Sequence, residues 1–247
     1  METFRYDDVD FAVRDDIGTA HRAFWRKLAA PGSFWTGAER VAIAQETRNA
    51  LTCAYCAARK QALSPYTFEG EHDHDGALPA AAVDAVHRII TDQGRITRRW
   101  VDDIERGGLS RNAYVELVGI VVCVFSIDEF SRAIGSSVEP LPAPVDGAPD
   151  GYAPAHLADD IGFVPTVPPE GAVGDEADLW KPGRAANVIR ALTLVPDALR
   201  DWRALAGAQY LSFEGMANFV KDENRSIDRM QMELVAGRVS AINECFY

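Results

Sequence analysis

Two cysteines separated by two residues form the most reactive pattern in this sequence. Cys53 and Cys56 make a C-x-x-C pair at the predicted start of a helix. Two intervening residues on a first helical turn bring both sulfurs close enough to bridge. The positive end of the helix dipole lowers the pKa of such a thiol. One sulfur would then attack a peroxide and become a sulfenic acid, and the other would resolve it to a disulfide.

A metal site and an inert structural pair are the other interpretations of this spacing. Half a zinc site would look the same, but it needs a second pair of ligands. Cys123 and Cys245 do not form a pair, and the histidines lie elsewhere in the sequence. We interpret His72 as part of a solvated loop and His87 as a hydrogen-bonded core histidine. The pattern therefore favours redox chemistry, with no metal and no bound cofactor.

Helical periodicity dominates the segments that must position these cysteines. The first half of the chain predicts helices near residues 10–29, 36–51, 52–63, 79–90, 96–106 and 110–134. Residues 137–180 differ, because eight of the 13 prolines lie between Pro140 and Pro169. Helical patterns return after residue 184. We predict an all-α protein with a first helical unit (1–136), a proline-rich arm (137–180) and a second, incomplete unit (181–247).

The two predicted units share a weak internal repeat. The segment that ends in Cys53-Ala-Tyr55 is similar to the segment that ends in Cys245-Phe-Tyr247. Glu233 stands twelve residues before Cys245. A straight helix would hold these two residues roughly 18 Å apart, so they meet only if the chain turns after Asn243.

Residues 39–136 resemble one unit of the alkylhydroperoxidase D / carboxymuconolactone decarboxylase family. The resemblance is carried by ERVAIA, CAYCAARKQALSPY and the join between GGLS and a long apolar helix. In that family a Glu twelve residues before the pair and a His four residues after it relay protons to the second cysteine. Here Lys60 stands at the His position and Val41 at the Glu position, and the nearest acids are Glu39 and Glu46. A lysine would favour the thiolate electrostatically.

The resemblance implies a thiol-dependent peroxide reductase-like oxidoreductase that forms a homodimer or a larger homo-oligomer. The partners would be a small hydroperoxide and an external thiol or dithiol reductant. Cys56 would attack and Cys53 would resolve. The full set of candidate catalytic residues is Cys53, Cys56, Lys60, Glu46, Glu233 and Cys245.

Other interpretations of the resemblance stay open. Some members resemble selenoproteins, so we expect a chain that continues past Tyr247 with selenocysteine or cysteine and completes a second site around Glu233 and Cys245. A carboxymuconolactone-type decarboxylase would instead hold a lactone acid with His and Arg. A non-catalytic structural or redox-responsive oligomer is the third interpretation.

The charge of the chain excludes several classes of partner. A net charge of −12 and a pI near 4.8 disfavour nucleic acids and anionic membranes, which bind basic surfaces. The opening residues carry no apolar targeting segment, and the longest apolar run, 114–127, is shorter than the roughly 20 residues of a membrane span. We therefore expect a cytoplasmic protein.

Overall fold

A computed structural model of the chain describes residues 3–74, 76–180, 185–212, 215–216 and 225–243. Over these residues the regular structure is α-helical, and no β-strand occurs. One isolated antiparallel bridge joins Ala158 to Thr166. The prediction of an all-α protein is therefore confirmed.

The described part of the chain contains nine α-helices. They are α1 (Asp15–Ala29), α2 (Gly37–Ala50), α3 (Ala54–Gln61), α4 (Ala80–Thr91), α5 (Arg98–Arg106), α6 (Arg111–Ile134), α7 (Asn187–Arg190), α8 (Pro196–Gln209) and α9 (Arg229–Ile242). Local sequence explains several of these bounds. Thr36 and Glu39 form a capping box at the start of α2, and the Ser110 hydroxyl accepts the Ala113 amide at the start of α6. Gly135 ends α6 with a φ of 78°, a left-handed conformation that suits glycine.

Helices α2, α4 and α6 pack against one another and form the core that holds the cysteine pair. Leu117, Val121 and Ile127 of α6 are fully buried. Truncating such a leucine to alanine typically costs about 2–5 kcal/mol of stability. The same core contains an ion pair between Arg40 and Glu116. Arg40 of α2 is thus the partner of the buried Glu116 carboxylate of α6.

The proline-rich segment lies along the first helices. The Val145 amide donates to the Ala29 carbonyl at 2.8 Å. The Trp25 indole donates to the Pro140 carbonyl at 2.9 Å. Further along, a separate small core forms from buried residues of this segment and of α8, namely Val167, Leu179, Trp180 and Leu199. Backbone hydrogen bonds and apolar burial thus fix a segment that lacks regular helices over most of its length.

The chain divides into two compact units, Met1–Leu205 and Ala206–Tyr247. In the second unit, Asp228 and Gln231 form a capping box at the start of α9. The Tyr210 hydroxyl donates to Glu233 at 2.6 Å, and Arg229 pairs with the same carboxylate at 2.6 Å. Within the described residues, none of the helices combines the length and the apolar character needed to cross a membrane.

Candidate functional site

The cysteine pair lies at the tight connection between α2 and α3. Cys53 occupies the N-cap position of α3 with an extended backbone and no side-chain capping hydrogen bond, and Cys56 follows on the first helical turn. The Asp73 carboxylate accepts the Ala54 amide at 3.1 Å and so satisfies one free amide of that turn. Both cysteines are reduced and buried, with 2% and 1% of their surface exposed. The prediction that the pair begins a helix is confirmed.

His87 of α4 connects Cys56 to a buried carboxylate of α2. Its Nδ1 lies 3.1 Å from the Cys56 sulfur, and its Nε2 lies 2.5 Å from Oε1 of Glu46. Glu46 is 4% exposed and His87 is fully buried. A carboxylate accepts a hydrogen bond, so Nε2 carries the proton, and the lone pair of Nδ1 faces the thiol. The packing of α2 against α4 therefore builds a Glu46–His87–Cys56 chain.

His72 approaches both sulfurs from the loop between α3 and α4. Its Nδ1 lies 3.4 Å from the Cys56 sulfur and 3.8 Å from the Cys53 sulfur. Its Nε2 lies 3.1 Å from Oδ1 of Asp84. The edge of the His72 ring contacts the Tyr55 ring, with the centroids 4.8 Å apart. With 10% of its side chain exposed, His72 forms the solvent side of the site.

Asp84 organises the groups around the second histidine. It accepts Arg59 at 2.6 Å and the Trp100 indole at 3.0 Å, in addition to His72. Burial acts to raise the pKa of Asp84, but the hydrogen bonds from His72 and Arg59 outweigh it and hold the pKa well below its usual range. Asp84 is therefore an anion whose charge neutralises that of Arg59. The Arg59 guanidinium lies 3.9 Å from the Cys56 sulfur.

Burial governs the resting protonation of the reactive groups. Burial is the main cause that raises the pKa of the Cys56 thiol to about 12; the neighbouring Cys53 contributes to the rise, whereas Thr91 and Arg59 oppose it. Burial also lowers the pKa of His87, although the hydrogen bond to Glu46 opposes this. The expectation of a lowered pKa at Cys56 is wrong, because desolvation outweighs the dipole of a helix with only two turns. The resting pair is a neutral thiol next to a neutral imidazole.

The candidate residues predicted from the sequence fall into different places. Cys53, Cys56 and Glu46 belong to one cluster, with Glu46 acting through His87. Lys60 is exposed, and its backbone carbonyl accepts a hydrogen bond from Arg95. Glu233 is an exposed residue of the second compact unit. Cys245 lies outside the described residues.

Both histidines, and the Asp84 and Arg59 side chains beside them, were missed as site residues. His87 was predicted as a buried, hydrogen-bonded core histidine, and that much is confirmed. Its second nitrogen, however, faces Cys56. The histidines lie elsewhere in the sequence, but the fold brings both of them to the pair. The prediction of a solvated position for His72 is wrong. One signal was visible in the sequence, because His87 is a polar residue on an otherwise apolar helix face.

The four side chains could also hold a metal ion. One ligand atom from each of Cys53, Cys56, His72 and His87 lies within 4.8 Å of all the others. The arrangement can therefore support either thiol redox chemistry or metal binding. Comparison with protein-family models, curated proteins and solved structures finds no match to this chain.

Proposed function

We propose that this chain is a thiol-dependent oxidoreductase that reduces small hydroperoxides, with Cys56 as the attacking sulfur and Cys53 as the resolving sulfur. The observation that carries the proposal is the Glu46–His87–Cys56 chain, with 2.5 Å and 3.1 Å between its successive atoms. A nucleophile in contact with a base that is oriented by a third group is the usual arrangement for activating a weak nucleophile.

The first step uses His87 as the general base. Nδ1 of His87 takes the proton of the Cys56 thiol, and the Glu46 carboxylate stabilises the imidazolium that forms. The thiolate then attacks the terminal peroxide oxygen, a sulfur–oxygen bond forms, and the oxygen–oxygen bond breaks. The alkoxide leaves with the proton from His87 as an alcohol. Cys56 is thereby oxidised to a sulfenic acid, and the peroxide is reduced by two electrons.

The second step joins the two sulfurs. The Cys53 sulfur attacks the Cys56 sulfenic acid, a disulfide forms, and the hydroxyl group leaves as water with the Cys53 proton. The two sulfurs lie within 4.8 Å of each other, so a small movement brings them to bonding distance. His72 Nδ1, which lies 3.8 Å from the Cys53 sulfur and 3.4 Å from the Cys56 sulfur, can carry that proton to the leaving hydroxyl group. An external dithiol then reduces the disulfide by thiol exchange.

The family resemblance supports the same proposal, with two relay residues supplied from other positions of the chain. In the family the relay histidine follows the pair on the same helix, where this chain has Lys60. Here His87 of α4 would supply the imidazole and Glu46 the carboxylate. The burial of both sulfurs favours small hydroperoxides, because His72 and its loop cover the pair.

Trapping the sulfenic acid tests this assignment of roles. In Cys53→Ser the resolving sulfur is absent, so hydrogen peroxide should leave a sulfenic acid at Cys56 that reacts with dimedone and is mapped by peptide mass. In Cys56→Ser, a matched change in the same pair, Cys53 should remain unlabelled. Labelling of Cys53 in Cys56→Ser, or labelling in neither variant, would contradict the proposal.

The burial of the pair supports a second candidate, a non-catalytic structural or redox-responsive protein. Only 2% and 1% of the two cysteines are exposed, and a structural thiol is typically inert. On this alternative, iodoacetamide would leave both cysteines unmodified in the native protein and peroxide would form no disulfide. Rapid alkylation of Cys56 in the native protein would exclude it.

A further inference from the structure

We infer that the reduced site binds one divalent cation of the zinc class through the sulfurs of Cys53 and Cys56 and the Nδ1 atoms of His72 and His87. This inference goes beyond peroxide reduction and does not depend on it. The first support is the donor set, because two thiolates and two imidazoles are ligands that tetrahedral zinc sites use.

The spacing of the four atoms fits a tetrahedral ion. Zinc bonds of about 2.3 Å to sulfur and 2.0–2.1 Å to nitrogen separate neighbouring ligand atoms by roughly 3.3–3.8 Å. The sulfur of Cys56 lies 3.1 Å and 3.4 Å from the two histidine nitrogens, and the Cys53 sulfur lies 3.8 Å from His72. All four atoms lie within 4.8 Å of one another, so closing around an ion requires shifts of only about 1 Å.

The second ring nitrogens of both histidines make the hydrogen bonds that are typical of metal-binding histidines. Histidines that bind metals usually donate their second ring N–H to a carboxylate, which fixes the tautomer and directs the free nitrogen at the ion. His87 donates Nε2–H to Glu46 at 2.5 Å, and His72 donates Nε2–H to Asp84 at 3.1 Å. Two independent carboxylates, one on α2 and one on α4, thus direct two Nδ1 atoms at the same pair of sulfurs.

The local charges also suit a divalent cation. Two thiolates neutralise the ion, so the buried cluster carries no net charge once the two thiol protons have left. Arg59, whose guanidinium lies 3.9 Å from the Cys56 sulfur, is paired with Asp84 at 2.6 Å, and this pairing weakens its repulsion of an ion. His72 is the one member of the cluster that is not fully buried, which indicates that an ion enters from its side.

Cobalt binding to the full reduced chain tests this inference. Co²⁺ added to the chelator-treated protein should give the visible bands of a tetrahedral cobalt thiolate with one ion per chain, and Zn²⁺ should displace it. His72→Gln should weaken cobalt binding by at least the 10- to 100-fold that loss of an outer-shell partner costs. His74→Gln is the matched control, because His74 is an exposed histidine of the same loop whose ring accepts the Gly76 amide.

The outcomes separate this inference from the proposed function. Absence of cobalt–thiolate bands, or equal affinities in wild type and His72→Gln, would overturn the metal site. His72→Asn repeats the test if the glutamine variant fails to fold by circular dichroism. Disulfide formation by peroxide is measured separately on metal-free protein, so a failure there leaves cobalt binding intact, and a failure of cobalt binding leaves the peroxide chemistry intact.

Discussion

Replacing Glu46 by glutamine tests how much the buried carboxylate contributes to thiol activation. Glutamine has nearly the shape of glutamate, and its side-chain oxygen can still accept the His87 Nε2–H bond that is 2.5 Å long in the native site. The change therefore removes the negative charge while retaining the hydrogen bond. In the proposed mechanism this charge matters when His87 becomes an imidazolium.

The size of the effect follows from the two kinds of hydrogen bond. A bond to a charged group contributes about 1.5–3 kcal/mol and a neutral one about 0.5–1.5 kcal/mol, which leaves a difference of roughly 1–2 kcal/mol. Because 1.36 kcal/mol corresponds to a tenfold change in rate, Glu46→Gln should slow the reaction of Cys56 with peroxide about 5- to 30-fold. Removal of the base itself, in His87→Gln, should slow it by about 10²- to 10⁴-fold.

The assay is the second-order rate constant of disulfide formation with hydrogen peroxide, followed by alkylation quench and intact mass at pH 7. Glu129→Gln is the control, because it removes an exposed carboxylate that pairs with Arg132. Circular dichroism and urea unfolding verify that each variant is folded. A rate for Glu46→Gln equal to that of wild type would refute the role of the carboxylate. A smaller loss of rate in His87→Gln than in Glu46→Gln would refute the assignment of His87 as the base and Glu46 as the group that supports it.

Further expectations concern Lys60, the core ion pair and the pH dependence of stability. Lys60→Gln should leave the rate of reaction with peroxide unchanged, because Lys60 is exposed and Arg59 is the cation beside Cys56. A large loss of rate would show instead that Lys60 takes part in the reaction. Arg40→Leu should lower the free energy of unfolding by about 3–5 kcal/mol in urea, since it leaves the buried Glu116 carboxylate without its cationic partner; a loss near zero would contradict this. Burial lowers the pKa of His21 from 6.5 to about 4. The unfolded chain therefore binds more protons in that window, and stability, fully present above pH 6.5, should fall by about 3 kcal/mol down to pH 4. His21→Phe should flatten this part of the profile, and an unchanged slope would argue against His21 as its source.

The helices that hold the site are visible in the sequence because their signals are local. The capping box at Thr36 and Glu39 and the cap at Ser110 each involve residues only three positions apart. The predicted starts of α2 and α6 agree with the structure for this reason. The first helix begins at Asp15 instead of near residue 10, because apolar periodicity alone does not fix a helix end that lacks a side-chain cap.

The contacts within the site depend on tertiary packing and were not visible in the sequence. His87 is 31 residues from Cys56 and 41 from Glu46. No local pattern specifies that α4 places its one buried histidine between these two residues. His72 lies in a loop of polar residues, where composition predicts solvation, and its inward position follows from contacts with Asp84 and Tyr55. The spacing of Cys53 and Cys56 was visible in the sequence, whereas the contact between His87 and Cys56 depends on tertiary packing.

Burial, which also depends on tertiary packing, explains why the direction of the Cys56 pKa shift was predicted wrongly from the sequence. The sequence shows a helix start, and a helix start favours the thiolate. It does not show how deeply the start is buried. In the structure the Cys56 sulfur lies under His72 and against His87, and burial raises its pKa to about 12. In the proposed mechanism, activation of Cys56 therefore requires a base in contact with the sulfur, and His87 is the residue in that position.

The intact mass of the reduced, metal-free chain after addition of one equivalent of hydrogen peroxide shows whether Cys53 and Cys56 act as a redox pair. We expect the loss of two hydrogen atoms and a disulfide that peptide mapping assigns to Cys53 and Cys56. An unchanged mass, or oxygen added elsewhere while both thiols stay free, would contradict it.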